Sequence, residues 1–373
     1  MLMRVFNALG VLGIVAWCGV ESRLDLRYEY FQDRNDVVSH TPVLSWITNL
    51  PKNLVLQWDQ EVDAVSGASR MPASSASMKD VSPIIDAISG ASTSEFRIGE
   101  STRLSYNSEG HVLGVNGSFS YEDDYRSYSP GVFASWDFNQ RNTTLGGSYQ
   151  HFFDDFKSRT GFPAGGKKSI DSWSLSLAQS LTKTTLVAGG INLIQSNGYL
   201  GKPYTPVRLG IGPMEGALVP ENLPNNRSAI ALSGQIVQGF RLVSMLGSCN
   251  LSYRFYNDSW GILSHTGDFK MYQHFNDNGY VRLRYRQYWQ RGAAFIQENY
   301  DGTEEYHSVD LRFFPFNSRL YGIKVQVPML ESWIEATELV PDTWSFSIDA
   351  TTRDTRDKYI SGVIALELHY LLD

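Results

Sequence analysis

The chain has 373 residues, with 32 Lys and Arg against 39 Asp and Glu, for a formal charge of -7. An acidic balance excludes an extended phosphate-binding surface, so no nucleic-acid partner is expected. Aromatic residues reach 13% and Gly 32, and past the N-terminus no run holds the roughly 20 apolar residues that a spanning helix needs, which excludes a helical membrane protein.

Met1 to Arg4 is a short basic start and Val5 to Val20 a mostly apolar stretch, so residues 1–20 read as a signal peptide. The bulky Trp17 directly before Cys18 argues against lipidation there. Removal of the leader leaves Cys249 as the one remaining cysteine, and an internal disulfide is then excluded.

Residues 21–373 read as one domain of alternating strands. The clearest pair lies between Ser172 and Ile194. Trp173, Leu175, Leu177 and Leu181 fall on one face, and Ser172, Ser174, Ser176 and Ser180 on the other. After the tight connector 181–184, Val187, Ile191 and Leu193 again share a side.

Short polar turns are predicted at 49–53, 107–110, 139–142 and 276–279, where Asn, Asp and Gly supply the backbone angles of tight hairpins. Longer connections fall at 67–93, 154–171, 196–227 and 291–305. Short turns alternating with long loops predict an all-β, closed antiparallel transmembrane β-barrel with its long loops outside the cell. A soluble all-β fold is the alternative. About 17 candidate strands can be counted, and the even number typical of such barrels favours about 16. The weakest run is 319–328, bracketed by Pro315 and Pro328, which reads as a bent continuation of its neighbour.

Asp63-Ala64-Val65-Ser66-Gly67-Ala68-Ser69 returns as Asp86-Ala87-Ile88-Ser89-Gly90-Ala91-Ser92. Two readings are open. The copies are matched ends of one hairpin, or Asp63 and Asp86 form a carboxylate pair that holds a cation at the mouth.

This twin motif occurs with Arg27-Tyr28-Glu29-Tyr30, Gly198-Tyr199-Leu200, Pro220-Glu221-Asn222-Leu223-Pro224 and Ser318-Arg319-Leu320-Tyr321-Gly322. In these segments the chain resembles a family of Gram-negative outer-membrane barrels known only as a domain of unknown function. The resemblance implies an outer-membrane location and lipid contact. It supplies no activity, cofactor or catalytic residue.

Alternation also assigns the inner wall. On 54–66 the apolar set Leu54, Leu56, Trp58 and Val62 leaves Gln57, Asp59, Glu61 and Asp63 opposite, an acidic row. On 280–290 the set Val281, Leu283, Tyr285 and Trp289 leaves Arg282, Arg284 and Arg286, a basic row. In a barrel of about 16 strands the rows sit about six strands apart one way and ten the other. Opposed rows set up a field that selects ions and orients dipolar solutes. The competing reading is local pairing. If 54–66 and 94–106 form a hairpin, Asp63 meets Arg97 and Gln57 meets Arg103.

The expected function is therefore a pore or transporter for small solutes or ions. The alternative is a structural barrel that holds a periplasmic or surface protein partner. No enzyme is expected. His151 falls on the lipid-facing register without a Ser partner, and Asp123-Asp124 and Asp154-Asp155 read as solvated turns. His307 and His369 are isolated in the sequence, so no metal site is expected. No Cys-x-x-Cys-His occurs, and no cofactor is expected.

Overall fold

The computed structural model describes residues 21–33, 38–66, 96–157, 165–201, 207–213, 215–328, 343–354 and 359–372. The signal-peptide stretch 1–20 and Asp86, with the carboxylate pair it would form, lie outside the described residues.

The first nine strands are β1 (Ser22–Asp33), β2 (Val38–Leu50), β3 (Leu54–Ser66), β4 (Phe96–Ser108), β5 (His111–Tyr121), β6 (Tyr125–Phe138), β7 (Thr143–Phe156), β8 (Gly166–Ser180) and β9 (Thr185–Gly198). Two short strands follow, β10 (Val207–Arg208) and β11 (Leu218–Val219). The remainder are β12 (Asn226–Leu242), β13 (Met245–Asp258), β14 (Leu263–His274), β15 (Tyr280–Arg291), β16 (Phe316–Pro328), β17 (Thr343–Asp354) and β18 (Tyr359–Leu372). All but β10 and β11 form one closed antiparallel barrel of sixteen strands. Closure is made by β1 on β18, in register from Ser22 opposite Leu372 to Asp33 opposite Ser361. Closure leaves no unpaired strand edge in the wall.

The two-residue period accounts for the two faces. Trp173, Leu175 and Leu177 of β8 point outward and are 44%, 54% and 51% exposed, and Leu251 and Tyr253 of β13 are 57% and 51% exposed. A wall that turns its largest apolar groups outward all round has its interior on the polar side. At one end the strands are joined through 51–53, 109–110, 139–142, 181–184, 243–244, 275–279 and 329–342. At the other the joins are 34–37, 67–95, 122–124, 157–165, 199–225, 259–262, 292–315 and 355–358. The asymmetry is real without being strict.

Two sequence expectations are corrected. Residues 319–328 belong to β16, a full strand hydrogen-bonded on both sides, to β15 and to β17. Pro315 precedes the strand and Pro328 ends it, so neither removes a ladder donor from its middle. Half of residues 154–171 is wall, because β7 runs to Phe156 and β8 starts at Gly166. Asp154 is accordingly buried on the inner face, 3.0 Å from Lys168 Nζ.

Left-handed backbone marks several short turns, at Lys52, Asn53, Asn139, Gln140 and Arg141. The β12–β13 turn places Val243 there as well, at φ 55° and 87% exposed. A β-branched residue in that region is strained, and its side chain packs on little. Val243→Gly is expected to stabilise the barrel by about 1 kcal/mol, read as a higher urea midpoint for unfolding from detergent micelles. An equal or lower midpoint would contradict the assignment of strain.

The described residues of the loops 199–225 and 292–315 pack into a cap. Val207, Leu209 and Tyr300 form one small core, and Trp260, Ile262, Ala293 and Phe313 another. An isolated bridge joins Asn222 to His307, and His307 Nε2 lies 2.8 Å from the Pro220 carbonyl oxygen. Burial and the nearby Glu221 push the Tyr199 hydroxyl up to about 12, so it stays protonated. Gln290 on the inner face of β15 donates to the carbonyls of Arg312 (2.6 Å) and Phe314 (3.0 Å). These bonds hold the end of the second loop against the inside of the wall.

Candidate functional site

The register of β3 on β4 sets Asp63 opposite Arg97 and Gln57 opposite Arg103. All four belong to the inner face, as do Asp59 and Glu61. Arg97 is the centre of this group. Its Nη1 lies 3.3 Å from Asp63 and 3.8 Å from Glu61, and its Nε lies 4.0 Å from Glu122. Asp63 also accepts from Thr41 Oγ1 at 2.7 Å. Asp59 is clothed by neutral donors: Ser45, Gln57 Nε2 at 3.0 Å and Ser101 at 3.2 Å. Three carboxylates thus share the Arg97 guanidinium while Asp59 stands beside them on neutral donors, and the patch keeps a negative sign.

Arg103 has a different environment. Its guanidinium carbon lies 3.6 Å from the centroid of the Phe133 ring. Gly114 makes room for that ring, since a Cβ there would come within 2.2 Å of Phe133. The contact is a cation–π pair rather than an ion pair.

The basic row lies on β15 between two carboxylates supplied by other strands. Asp268 of β14 takes Arg284 at 2.8 Å and Arg286 at 2.6 Å. Asp349 of β17 reaches Arg282 at 3.7 Å and Arg284 at 3.9 Å. Lys270 adds a fourth cation within electrostatic reach of Asp268 and the three arginines. Four cations share two carboxylates, so this patch keeps a positive sign.

Asp349 reaches β15 across β16 because the intervening residue is Gly322. A Cβ at that position would fall 1.9 Å from Asp349 Oδ1. Gly322→Ala is therefore expected to push the carboxylate off Arg282 and Arg284 and to shift ion selectivity in the same direction as Asp349→Asn, but by less, because the charge stays in the lumen. Ion selectivity in a planar bilayer checks this, and a folded Gly322→Ala protein with wild-type selectivity would contradict it.

Between the two patches the inner wall carries mixed charge. Arg27 pairs with Glu29 at 3.1 Å, and Lys324 pairs with Glu367 across β17. Glu29 also feels the carboxylates of Glu367, Asp63 and Asp349. His369, isolated in the sequence, has its Nδ1 2.5 Å from Asp25. No cluster of three or more His, Cys, Asp or Glu suited to a metal occurs among the described residues.

In the closed strand order, six steps separate β3 from β15 one way and ten the other. The patches therefore lie nearly opposite. The two rows are neither bare nor fully cancelled, since each is partly neutralised by near neighbours and keeps its own sign. The neutralising groups Asp268, Asp349 and Glu122 escaped the sequence reading. Asp268 and Asp349 are each a single carboxylate on a strand and Glu122 lies in the β5–β6 turn, and only the pairing of strands brings each to its partner.

The family model described as "Protein of unknown function (DUF3570)" matches residues 19–165 and 147–339. A comparison with curated proteins gives no match. Among solved structures, CdiB from Acinetobacter baumannii aligns with a TM-score of 0.53 and 10% identity, over 94% of this chain and 60% of that one. The chain thus spans about three fifths of that protein's length. A bacterial polysaccharide outer membrane secretin aligns at a TM-score of 0.48 and 8% identity, over 94% of this chain and 98% of that one. OccK1 (OpdK) of Pseudomonas aeruginosa aligns at 0.43 and 8%, over 95% and 99%. The fold is that of outer-membrane barrels, and at such identities the likeness is one of fold alone.

Proposed function

We propose that this chain, which belongs to the DUF3570 family, is an outer-membrane pore for small solutes or ions, with no enzymatic activity of its own. The observation that supports this most is the pair of oppositely signed patches on the inner wall of a sixteen-stranded barrel. A barrel of that size has room for an aqueous channel, and inner-wall side chains that keep a residual charge favour water beside them. Charges of opposite residual sign then act on any ion passing between them.

Selectivity tests this reading. Arg284→Ala removes one cation from the positive patch, and the reversal potential under a salt gradient is expected to move toward cation preference. An unchanged reversal potential in a conducting variant would sink the field. The cap built from 199–225 and 292–315 favours a second reading, a barrel closed by its own loops that serves as a scaffold for a periplasmic or surface protein. A pure protein that inserts but carries no current would support that one instead.

A further inference from the structure

Beneath the cap, against the inner faces of β8, β9 and β12 to β15, lies a cavity of about 370 Å³. That volume suits a small organic molecule. Four cations stand on its surface: Lys168, Arg227, Arg254 and Arg312. Among the described residues no Asp or Glu lines it. Carboxylates are present, but set behind the cations. Asp154 holds Lys168 at 3.0 Å, Asp258 holds Arg227 at 2.5 Å and Asp310 holds Arg312 at 2.6 Å.

Arg254 is the exception. It projects from the inner face of β13, half a turn of the ladder from Tyr256, whose ring centroid is 5.5 Å from its guanidinium carbon. Among the described residues no carboxylate lies within ion-pairing distance of it. A guanidinium left without a counter-charge, in a recess whose other cations are already matched, has its planar fork of donors free for one anionic group. The rest of the wall is mixed: Ser196, Ser264, Tyr288 and Gln290 supply polar groups, and Leu200 with the mostly buried Trp260, Ile262 and Phe313 supplies a smaller apolar part. Trp260 and Phe313 are locked edge to face at 5.4 Å, so this surface is set before a ligand arrives.

We infer that the cavity is a binding site for a small organic monoanion, a carboxylate, whose charged end is taken by Arg254. The inference builds on the pore reading only for the route by which such a solute arrives. The charge arrangement also argues against inorganic divalent anions as the favoured ligand. One unmatched cation balances one negative charge, and a second charge on the ligand would be left without a counter-charge in the recess.

The test is calorimetric titration of the full-length protein in detergent with cyclohexanecarboxylate, with cyclohexanecarboxamide as the neutral isostere. Saturable binding of the carboxylate is expected, with the amide at least about 10-fold weaker, as a charge-assisted bidentate contact implies. Arg254→Gln is expected to weaken the carboxylate by about 10- to 100-fold. Arg254→Lys is expected to fall between, because it keeps the charge and loses the fork. Arg254 makes no ion pair that its replacement would break, and a heat-dependent gel shift confirms that each variant is folded. Lys183→Gln, in the β8–β9 turn at the opposite end of the barrel, is expected to bind as the wild type does. No saturable binding, equal binding of acid and amide, or full affinity in folded Arg254→Gln would each overturn the site. A bilayer recording on the same preparation separates the two claims. Current without carboxylate binding overturns the site alone, and binding without current upholds the site while overturning the pore.

Discussion

Arg97→Leu is expected to lower the stability of the barrel by about 3 kcal/mol. The side chains of Asp63 and Glu122 are each only 4% exposed, and both lie within 4.0 Å of the Arg97 guanidinium. Leucine approximates the volume of the stem but takes away the cation, leaving the buried Asp63 carboxylate, beside Glu61, without its ion-pair partner. Losing one partner of a buried pair is far more damaging than losing both. Desolvated carboxylates then repel one another or take up protons, and either outcome costs folding free energy. The readout is the urea midpoint for unfolding from micelles or vesicles. The double replacement Arg97→Leu with Asp63→Asn is expected to recover part of the loss, because it removes that stranded charge. A single variant as stable as the wild type would show that the carboxylates do not depend on Arg97.

Asp268→Asn is expected to act on current as strongly as on stability. This carboxylate is 6% exposed and is shared by Arg284 and Arg286. Without it, three arginines and Lys270 retain only Asp349 as a counter-charge. The positive patch strengthens, and selectivity is expected to move toward anions, the opposite sense to Arg284→Ala. The stability cost is smaller than for Arg97, about 2 kcal/mol, because Arg286 is 44% exposed and water screens its share. Opposite shifts from two substitutions in one ion-pair network cannot arise from a general loosening of the wall. Shifts of the same sign would contradict the assignment of residual charge.

The barrel itself was legible because a transmembrane strand repeats every two residues and both of its faces are chemically distinct. Once Trp173, Leu175 and Leu177 were placed on one side, the same phase carried Asp59 and Arg284 to the other. The hairpin register of Asp63 on Arg97 was legible too, since short-range pairing follows from counting residues back from strand ends. The partners of the basic row were not. Asp268 and Asp349 sit on strands whose alternation says only that they face inward, and the Gly322 gap through which Asp349 reaches Arg284 is a property of three adjacent strands at once. The cap was hidden for a related reason. Val207, Leu209 and Tyr300 come from loops with four wall strands, β12 to β15, between them, and irregular backbone carries no period to betray their contact. Pro315 and Pro328 misled in the other direction, because a proline at a strand end looks in sequence like one in its interior.

The most direct test of the whole account is the current carried by the purified wild-type protein across a planar lipid bilayer, in a preparation shown by its heat-dependent gel shift to be folded. Stable, stepwise ion current with a reversal potential that moves in opposite directions in Arg284→Ala and Asp268→Asn is the predicted result. A folded, inserted barrel that passes no current would contradict the pore at the centre of the account.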